Sequence, residues 1–203
     1  EIDLTDGEVT RDFFARHSDI RAVIHFAALK AVGESVNKPL EYYFNNLNSL
    51  MNVLTCMREF KVPNLVFSSS CTVYGQADVL PVTEKTPRHE AESPYGNTKV
   101  MSEDIIRDLM RVEPDMKALA LRYFNPIGAH PTAFIGELPN GLPNNLIPYL
   151  TQTAIGIREQ LSVFGDDYNT PDGSPLRDYI DVVDLAQAHV VAIRRLLEGK
   201  NKK

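Results

Sequence analysis

The chain has 203 residues, 43% of them hydrophobic and 24% charged, with a formal net charge of −6 at pH 7. This composition is typical of a soluble globular protein with one sizeable core. The acidic balance argues against a nucleic-acid partner, and no apolar run reaches membrane-spanning length. Because only Cys56 and Cys71 are present, a disulfide framework is not expected. We therefore predict a cytoplasmic protein without nucleic-acid or membrane partners.

In the first 125 residues, short apolar runs alternate with helical patterns. Near-continuous apolar strands separated by amphipathic helices indicate an α/β fold, in which a parallel sheet is covered by helices on both faces. The strands are predicted at residues 22–27, 64–68 and 118–123, and the helices at Leu40–Met57 and Pro94–Val112.

The pattern changes after Asn125. Residues 126–148 have a loop-like composition with five prolines, and a helix is predicted over Leu146–Ile157. Short strands are predicted at residues 163–165 and 178–180. Asp181 is a candidate N-cap for a last helix that ends near Gly199.

The carboxyl ends of the predicted strands indicate where a ligand binds. Parallel sheets bind ligands beyond these ends, so residues 25–30, 68–72 and 123–125 are expected to meet at one crevice. None of the eleven glycines forms a Gly-x-Gly-x-x-Gly phosphate loop. Residues 1–4 read as the end of a strand, and we therefore expect the chain to be an internal fragment of a longer protein.

Tyr95 and Lys99 are the most informative pair in the chain. Ser93 and Pro94 are typical of a helix start, which places both side chains on one face of the first two turns. The lysine charge is expected to lower the pKa of the phenol. Ser70, from a serine run at a strand end, can share a proton with them. Such a group suits removal of a proton from a sugar hydroxyl while hydride leaves the same carbon.

Six motifs in order resemble those of the UDP-glucose 4-epimerase family, within the extended short-chain dehydrogenases/reductases. They are residues 25–35 (HFAALKAVGES), 67–75 (FSSSCTVYG), 93–99 (SPYGNTK), 121–126 (LRYFNP), 143–146 (PNNL) and 177–180 (RDYI). The resemblance implies tightly held NAD⁺ and reversible C4 epimerisation of UDP-glucose and UDP-galactose through a 4-keto sugar, a step of galactose metabolism. The isolated fragment is expected to be inactive.

The resemblance also implies roles for individual residues. Tyr95 would be the base for the C4 hydroxyl, Lys99 would bind the nicotinamide ribose, and Ser70 would relay the proton. The implied NAD-site residues are Asp3, Leu4, Phe26, Ala27, Lys30, Asn45, Ser68, Tyr95, Lys99 and Tyr123. The implied substrate-site residues are Ser70, Thr72, Tyr95, Asn125, Asn145, Leu146, Phe164 and Arg177. The guanidinium of Arg177 can bind phosphate oxygens with two hydrogen bonds.

The same resemblance implies a Rossmann-like domain over residues 1–125, without its first βαβ unit. Residues 126–203 would be part of a smaller UDP-sugar-binding region whose last helix returns to the sheet. In the complete protein, the two predicted helices Leu40–Met57 and Met101–Val112 would form a homodimer interface. The sequence departs from the family pattern at two places. Ala28 stands where the family usually has glycine, and residues 173–176 (GSPL), with Pro175, replace the usual Gly-Thr-Gly-Val.

Three alternatives remain open from the sequence. The first is a related epimerase acting on UDP-glucuronate, UDP-xylose or N-acetylated UDP-hexosamines, and the second is a non-catalytic remnant. The third, a sugar dehydratase, is disfavoured because Cys71-Thr72 offers no carboxylate after the serine run. His25 is expected to be a core histidine rather than a base. No set of His, Asp and Glu residues has a spacing typical of a metal site, so no metal is expected.

Overall fold

The computed structural model describes residues 1–139 and 141–200. The chain divides into two units. Unit 1 comprises residues 1–123 together with the segment from Ala188 onward, and unit 2 comprises residues 124–187. None of the helices in the described residues is long and apolar enough to cross a membrane.

Unit 1 contains a three-stranded parallel sheet. Its strands are β1 (Ala22–His25), β2 (Asn64–Ser68) and β3 (Lys117–Leu121), in the order β1-β2-β3. The three predicted strands and their parallel arrangement are confirmed, with Val23 opposite Leu65 and Leu65 opposite Ala118. β1 and β3 each end two residues earlier than predicted, since the chain leaves the sheet there for the loops that carry the candidate site.

Both units contain helices. In chain order they are α1 (Gly7–Arg16), α2 (Val32–Asn37), α3 (Pro39–Glu59), α4 (Pro94–Val112), α5 (Leu146–Ala154) and α6 (Val182–Leu197), with a 3₁₀ turn at Cys71–Tyr74. The sequence did not predict α1 or α2. The start of α4 is confirmed, because the Ser93 hydroxyl accepts a hydrogen bond from the Gly96 N–H at 3.1 Å and Pro94 occupies the first turn.

Alternate residues of β2 are buried on opposite faces of the sheet. Leu65 and Phe67 belong to a core that includes Leu54 of α3 and Ile106 of α4. Val66 belongs to a second core formed with Ala192 and Leu196 from the end of α6. This alternation follows from the two-residue period of a strand. It confirms that helices cover both faces of the sheet, as in a Rossmann-like fold.

Unit 2 contains a small parallel pair of strands, β4 (Asn125–Ile127) and β5 (Tyr179–Asp181). The loop predicted from residue 126 is therefore wrong at its start. Pro126 is tolerated because a two-stranded sheet consists only of edge strands, where the missing N–H need not pair. The strand predicted at residues 163–165 is also wrong: Val163 and Phe164 are 79% and 92% exposed, so no sheet packs against them.

Both helices in the second half of the chain begin where the sequence indicates. α5 begins at Leu146 but ends at Ala154, three residues before the predicted end. Gly156, with φ +77°, reverses the chain there, and the Ile157 N–H donates to the Gln152 carbonyl. The predicted role of Asp181 is confirmed, since its carboxylate accepts a hydrogen bond from the Val183 N–H at 2.7 Å.

Candidate active site

Lys99 projects from the second turn of α4 to the end of β2. It is 5% exposed, and its ammonium donates a hydrogen bond to the Ser68 carbonyl at 2.7 Å. The ammonium also lies 5.0 Å from the centre of the Phe67 ring and 5.8 Å from that of Tyr95. Burial lowers the pKa of Lys99 to about 8. Lys99 therefore carries a charge at neutral pH beside the candidate base.

Tyr95 lies in the first turn of α4, close to the 3₁₀ turn. A Cβ added at Gly96 would lie 3.4 Å from the Thr72 Cβ, so the start of α4 packs against the 3₁₀ turn. Burial raises the pKa of Tyr95, although its hydrogen bond with Ser70 acts in the opposite direction. The predicted lowering of this pKa by Lys99 is wrong. The ammonium binds the Ser68 carbonyl and lies over the Tyr95 ring, and desolvation of the phenolate has the larger effect.

The serine run supplies further hydroxyls around this pair. The Ser70 hydroxyl is buried and accepts a hydrogen bond from the Thr72 N–H at 3.2 Å. Ser68 and Tyr123 share a hydroxyl–hydroxyl hydrogen bond. Among the described residues, the buried Thr72 hydroxyl has no hydrogen-bond partner. Unit 1 thus brings together Ser68, Ser70, Thr72, Tyr95, Lys99 and Tyr123, six of the residues predicted from the sequence.

The loop after β1 carries three predicted NAD-site residues, Phe26, Ala27 and Lys30, all of which are exposed. The Phe26 ring centre lies 4.6 Å from that of His189, a buried residue of α6 that the sequence did not indicate. His25, just before this loop, is buried, and its pKa is lowered to about 4 by desolvation and by the charge of Lys99. His25 is therefore neutral at pH 7, which agrees with the predicted core role.

Asn46 of α3 holds the loop after β1 in place. Its side chain accepts a hydrogen bond from the Leu29 N–H at 2.8 Å and donates to the Leu29 carbonyl at 3.0 Å and the Thr98 hydroxyl at 3.1 Å. The predicted NAD-site residue Asn45 is adjacent and donates to the side-chain carbonyl oxygen of Asn46. Asn46 was missed, although a polar residue within an apolar helical face is a signal that could have identified it.

The first predicted cofactor residues, Asp3 and Leu4, make local contacts with Thr5 and α3. The Asp3 carboxylate accepts hydrogen bonds from the N–H and the hydroxyl of Thr5, which lower the pKa of Asp3. The Leu4 carbonyl accepts a hydrogen bond from the Asn52 side chain at 2.9 Å, which joins this segment to α3.

A partly buried ion pair beside the serine run was also missed by sequence reasoning. Glu103 of α4 accepts hydrogen bonds from the Ser69 hydroxyl at 2.6 Å and from two nitrogens of Arg122, at 2.9 and 2.6 Å. The Glu103 side chain is 8% exposed. Arg122 follows β3, and its guanidinium also lies 5.0 Å from the centre of the Tyr74 ring. The carboxylate raises the already high pKa of Arg122.

The substrate-site residues predicted in unit 2 are all exposed. Asn125 donates to the Asp178 carbonyl at 2.9 Å, Asn145 precedes α5, and Arg177 donates to the Leu176 carbonyl at 2.8 Å. The exposed fractions of Leu146 and Phe164 are 51% and 92%. Unit 2 therefore presents these groups on loops and at the ends of short elements, accessible to solvent.

The model of the NAD dependent epimerase/dehydratase family matches residues 1–203. The chain belongs to this family. It is 54% identical over 198 residues to UDP-glucose 4-epimerase of Mus musculus, and 54% identical over 199 residues to that of Bacillus subtilis strain 168. These alignments cover 98% of the chain but only 57% and 58% of the two relatives, so the chain spans little more than half of their length.

Solved structures confirm the Rossmann-like fold and the resemblance to UDP-glucose 4-epimerases. The structure of the Bifidobacterium longum UDP-glucose 4-epimerase in complex with NAD⁺ and UDP matches with a TM-score of 0.93 and 48% identity, over 96% of this chain and 58% of that one. An epimerase from Stenotrophomonas maltophila, with bound NAD and formylated UDP-arabinopyranose, matches with a TM-score of 0.91 and 46% identity, over 98% of this chain and 59% of that one.

Proposed function

We propose that this chain supplies the catalytic centre of an NAD-dependent UDP-glucose 4-epimerase. The observation that carries the proposal is the arrangement of Ser70, Tyr95 and Lys99 around the buried end of β2. The Ser70 hydroxyl lowers the pKa of Tyr95, and the Lys99 ammonium, held by the Ser68 carbonyl at 2.7 Å, lies 5.8 Å from the centre of the Tyr95 ring. The Bifidobacterium longum and Stenotrophomonas maltophila epimerases are complexes with NAD and with UDP or a UDP-sugar, which supports the same chemistry in this chain.

The residues of unit 1 fit the nicotinamide end of NAD. When bound, NAD supplies the hydride acceptor and donor for C4 of the sugar. Lys99 offers a charged donor and Tyr123 a hydroxyl, while the exposed ring of Phe26 and the Lys30 side chain border the loop after β1. No glycine-rich phosphate loop occurs in the sequence, so these residues would hold only part of the cofactor.

Tyr95 is proposed to remove and return the proton of the C4 hydroxyl. Its raised pKa keeps the phenol protonated at neutral pH, which suits the return of the proton to the 4-keto sugar. The Ser70 hydrogen bond favours the phenolate and so assists the forward removal. The unpaired Thr72 hydroxyl is proposed to bind a sugar hydroxyl, because a buried polar atom without a partner is unfavourable until a ligand binds it.

Unit 2 is proposed to bind UDP through Asn125, Asn145, Leu146, Phe164 and Arg177. The exposed guanidinium of Arg177 can bind diphosphate oxygens, and the exposed ring of Phe164 offers a flat apolar surface for the uridine. We assign residues 1–125 to the NAD-binding domain and residues 126–203 to the UDP-sugar-binding region. Arg177 and Phe164 carry the nucleotide, so the sugar can turn between the two hydride transfers.

The quaternary structure and compartment are part of the same proposal. Exposed apolar side chains lie on both long helices of unit 1, including Leu40, Phe44 and Met51 of α3 and Met101 of α4. They support a homodimer of the complete protein through α3 and α4. Neither Cys56 nor Cys71 forms a disulfide, which supports a cytoplasmic location, and the net charge of −6 supports the expectation of no nucleic-acid partner. We also infer that the protein does not bind a membrane.

A chimera tests the function directly. The 198 matched residues of the Mus musculus epimerase are replaced by this chain, and the natural epimerase serves as the reference. We expect the denatured chimera to release NAD and the folded chimera to convert UDP-galactose to UDP-glucose. A folded chimera that retains NAD but converts neither UDP-glucose nor UDP-galactose contradicts the proposal. A panel of UDP-glucuronate, UDP-xylose and UDP-N-acetylhexosamines separates the related epimerases.

The isolated chain is assayed in parallel for bound NAD and for UDP binding. We expect the chimera to be active and the isolated chain to be inactive, because the chain spans little more than half the length of its relatives. An inactive chimera made from a well-folded chain indicates the non-catalytic remnant instead. Formation of a dehydrated sugar would indicate the dehydratase, for which the chain offers no carboxylate at Cys71 or Thr72.

A further inference from the structure

One face of α4 contacts the serine run through three residues spaced four apart, Tyr95, Lys99 and Glu103. Ser70 acts on the Tyr95 phenol and lowers its pKa, Lys99 donates to the Ser68 carbonyl at 2.7 Å, and Glu103 accepts from the Ser69 hydroxyl at 2.6 Å. Residues four apart share one face of a helix, so each α4 side chain meets one serine of the run. The proposed mechanism uses the first two contacts and leaves the third without a role.

The contact between Glu103 and Ser69 is buried and is held in place by further hydrogen bonds. The Glu103 side chain is 8% exposed, and Ser69 is 2% exposed. Two nitrogens of Arg122 fix the orientation of the carboxylate. The Ser69 N–H donates to the Leu121 carbonyl at 3.0 Å, so the backbone of this residue is tied to the end of β3 as well. Because the Glu103 carboxylate is charged and is itself held by two nitrogens of Arg122, it restricts the Ser69 hydroxyl to a narrow range of positions.

We propose that Glu103, through Ser69 and with Arg122 as its support, is a positioning residue that sets the location of the Ser70 hydroxyl relative to Tyr95. Ser69 and Ser70 are adjacent, so fixing the first restricts where the backbone can place the second. Glu103 does not reach the reacting atoms and acts only through this contact. The catalytic meaning of the inference rests on the proposed function, but the contact itself exists without cofactor or substrate.

The pKa of Tyr95 in the isolated chain reports on this alignment. The chain is labelled with ¹³Cζ-tyrosine, the Tyr95 signal is assigned with Tyr95→Phe, and its titration is followed by NMR. Burial, Tyr123 and Cys71 also act on the pKa of Tyr95, and all three raise it. Because Ser70 lowers the pKa of Tyr95, Ser70→Ala should raise it. This shift is the largest that a misplaced Ser70 hydroxyl can cause.

Ser69→Ala removes the hydroxyl that Glu103 holds and leaves the Glu103–Arg122 ion pair in place. We expect the pKa of Tyr95 to rise, in the same direction as the Ser70→Ala shift and by no more than that shift. In a Ser70→Ala background the same substitution should have no further effect, since both act through one hydrogen bond. Ser49→Ala is the matched control, because the Ser49 hydroxyl is also buried but donates within α3, at 3.3 Å. It should leave the Tyr95 titration unchanged.

Three results would overturn the proposal. One is an unchanged Tyr95 pKa in folded Ser69→Ala when Ser70→Ala does raise it. The second is a Ser69→Ala shift of the Tyr95 pKa that is the same whether residue 70 is serine or alanine. The third is a Tyr95 pKa shift in the Ser49→Ala control that equals the shift in Ser69→Ala. If Ser69→Ala does not fold, Glu103→Gln replaces it, with Glu59→Gln of the exposed Arg11–Glu59 pair as its control. A folded Glu103→Gln must then raise the pKa, or the proposal fails. The titrations do not require NAD, so failure of the epimerase assignment would be seen separately.

Discussion

The two units differ in how they hold their candidate functional residues. In unit 1, Ser70 and Lys99 are buried at 8% and 5% exposure and are fixed by hydrogen bonds. In unit 2, Phe164 is 92% exposed, and Arg177 donates to a neighbouring backbone carbonyl. The atoms proposed to move a proton are thus positioned before any ligand binds, whereas the groups proposed to bind the nucleotide lie in solvent.

This contrast matches the physical demands of the two tasks. Proton transfer requires heavy atoms within hydrogen-bond distance, so its groups gain from a rigid, desolvated setting. Diphosphate binding uses charged groups that are well hydrated until the ligand arrives, and burying Arg177 in advance without a partner would be unfavourable. Substitutions in unit 1 should therefore affect both chemistry and stability, whereas substitutions in unit 2 should affect ligand binding.

Tyr95→Phe gives the largest expected effect. Removing the phenolic oxygen should lower the epimerase rate of the chimera by about 1000-fold, since general acid–base groups contribute on the order of 10²- to 10⁴-fold. The ring stays, so bound NAD and the melting temperature should change little. Tyr168→Phe is the matched control in unit 2, where the side chain is 52% exposed, and should retain full activity. A Tyr95→Phe chimera with more than half of the reference rate would refute the assigned base.

Local signals in the sequence account for the features that were predicted correctly. The Ser93-Pro94 start of α4 and the Asp181 cap of α6 depend on neighbouring residues, and the strands of unit 1 depend on short apolar runs. The Ser69–Glu103 contact and the Asn46–Leu29 contact join residues 34 and 17 positions apart, and no local pattern encodes such pairings.

The direction of the Tyr95 pKa shift was wrong for a related reason. The spacing of Tyr95 and Lys99 showed that they share a helix face, but not how deeply the phenol is buried. Likewise, the edge position of β4, which permits Pro126, is set by a partner strand more than 50 residues later. Burial and long-range pairing therefore limit what the sequence alone can specify.

Gly75→Ala tests the rigidity of unit 1 against that of unit 2. Gly75 has φ +55°, and an added Cβ would lie 2.6 Å from the Glu90 carbonyl oxygen. We expect a loss of about 3 kcal/mol in unfolding free energy, from left-handed backbone strain together with overpacking. Gly156 in unit 2 also has a positive φ, +77°, but nothing lies within 4 Å of a Cβ added there, so Gly156→Ala is expected to cost about 1 kcal/mol. Urea denaturation measures both, and equal losses would contradict the contrast.

His25 should make the stability of unit 1 depend on pH. Its folded pKa of about 4 is below the ordinary value of 6.5, so the unfolded chain takes up the proton first as the pH falls. The stabilisation is present above pH 6.5 and is lost as the pH falls towards 4. Between pH 6.5 and 4.5 we expect a decrease of about 2 kcal/mol in unfolding free energy.

Urea titrations of His25→Gln across the same range check this assignment. The variant should lose most of the pH dependence, whereas His130→Gln, at an exposed position in unit 2, should keep it. The lowered carboxylate pKa values, such as that of Asp104, act below this window because they start from 3.8 and 4.5. The same slope in the His25→Gln variant and the unmodified chain would show that another group is responsible.

Phe164→Ala has the smallest expected effect on stability, and it tests whether an exposed group of unit 2 binds the nucleotide. Since the ring is 92% exposed, its removal should change the unfolding free energy by less than about 0.5 kcal/mol. Phe67→Ala in unit 1, where the ring is 2% exposed, should remove about 4 kcal/mol. In the chimera, Phe164→Ala should nevertheless weaken UDP binding roughly tenfold, because stacking on a base contributes about 1 to 3 kcal/mol. Calorimetric titration with UDP measures this loss. Unchanged UDP affinity would mean that the exposed ring does not bind the nucleotide, while the buried centre of unit 1 would remain as proposed.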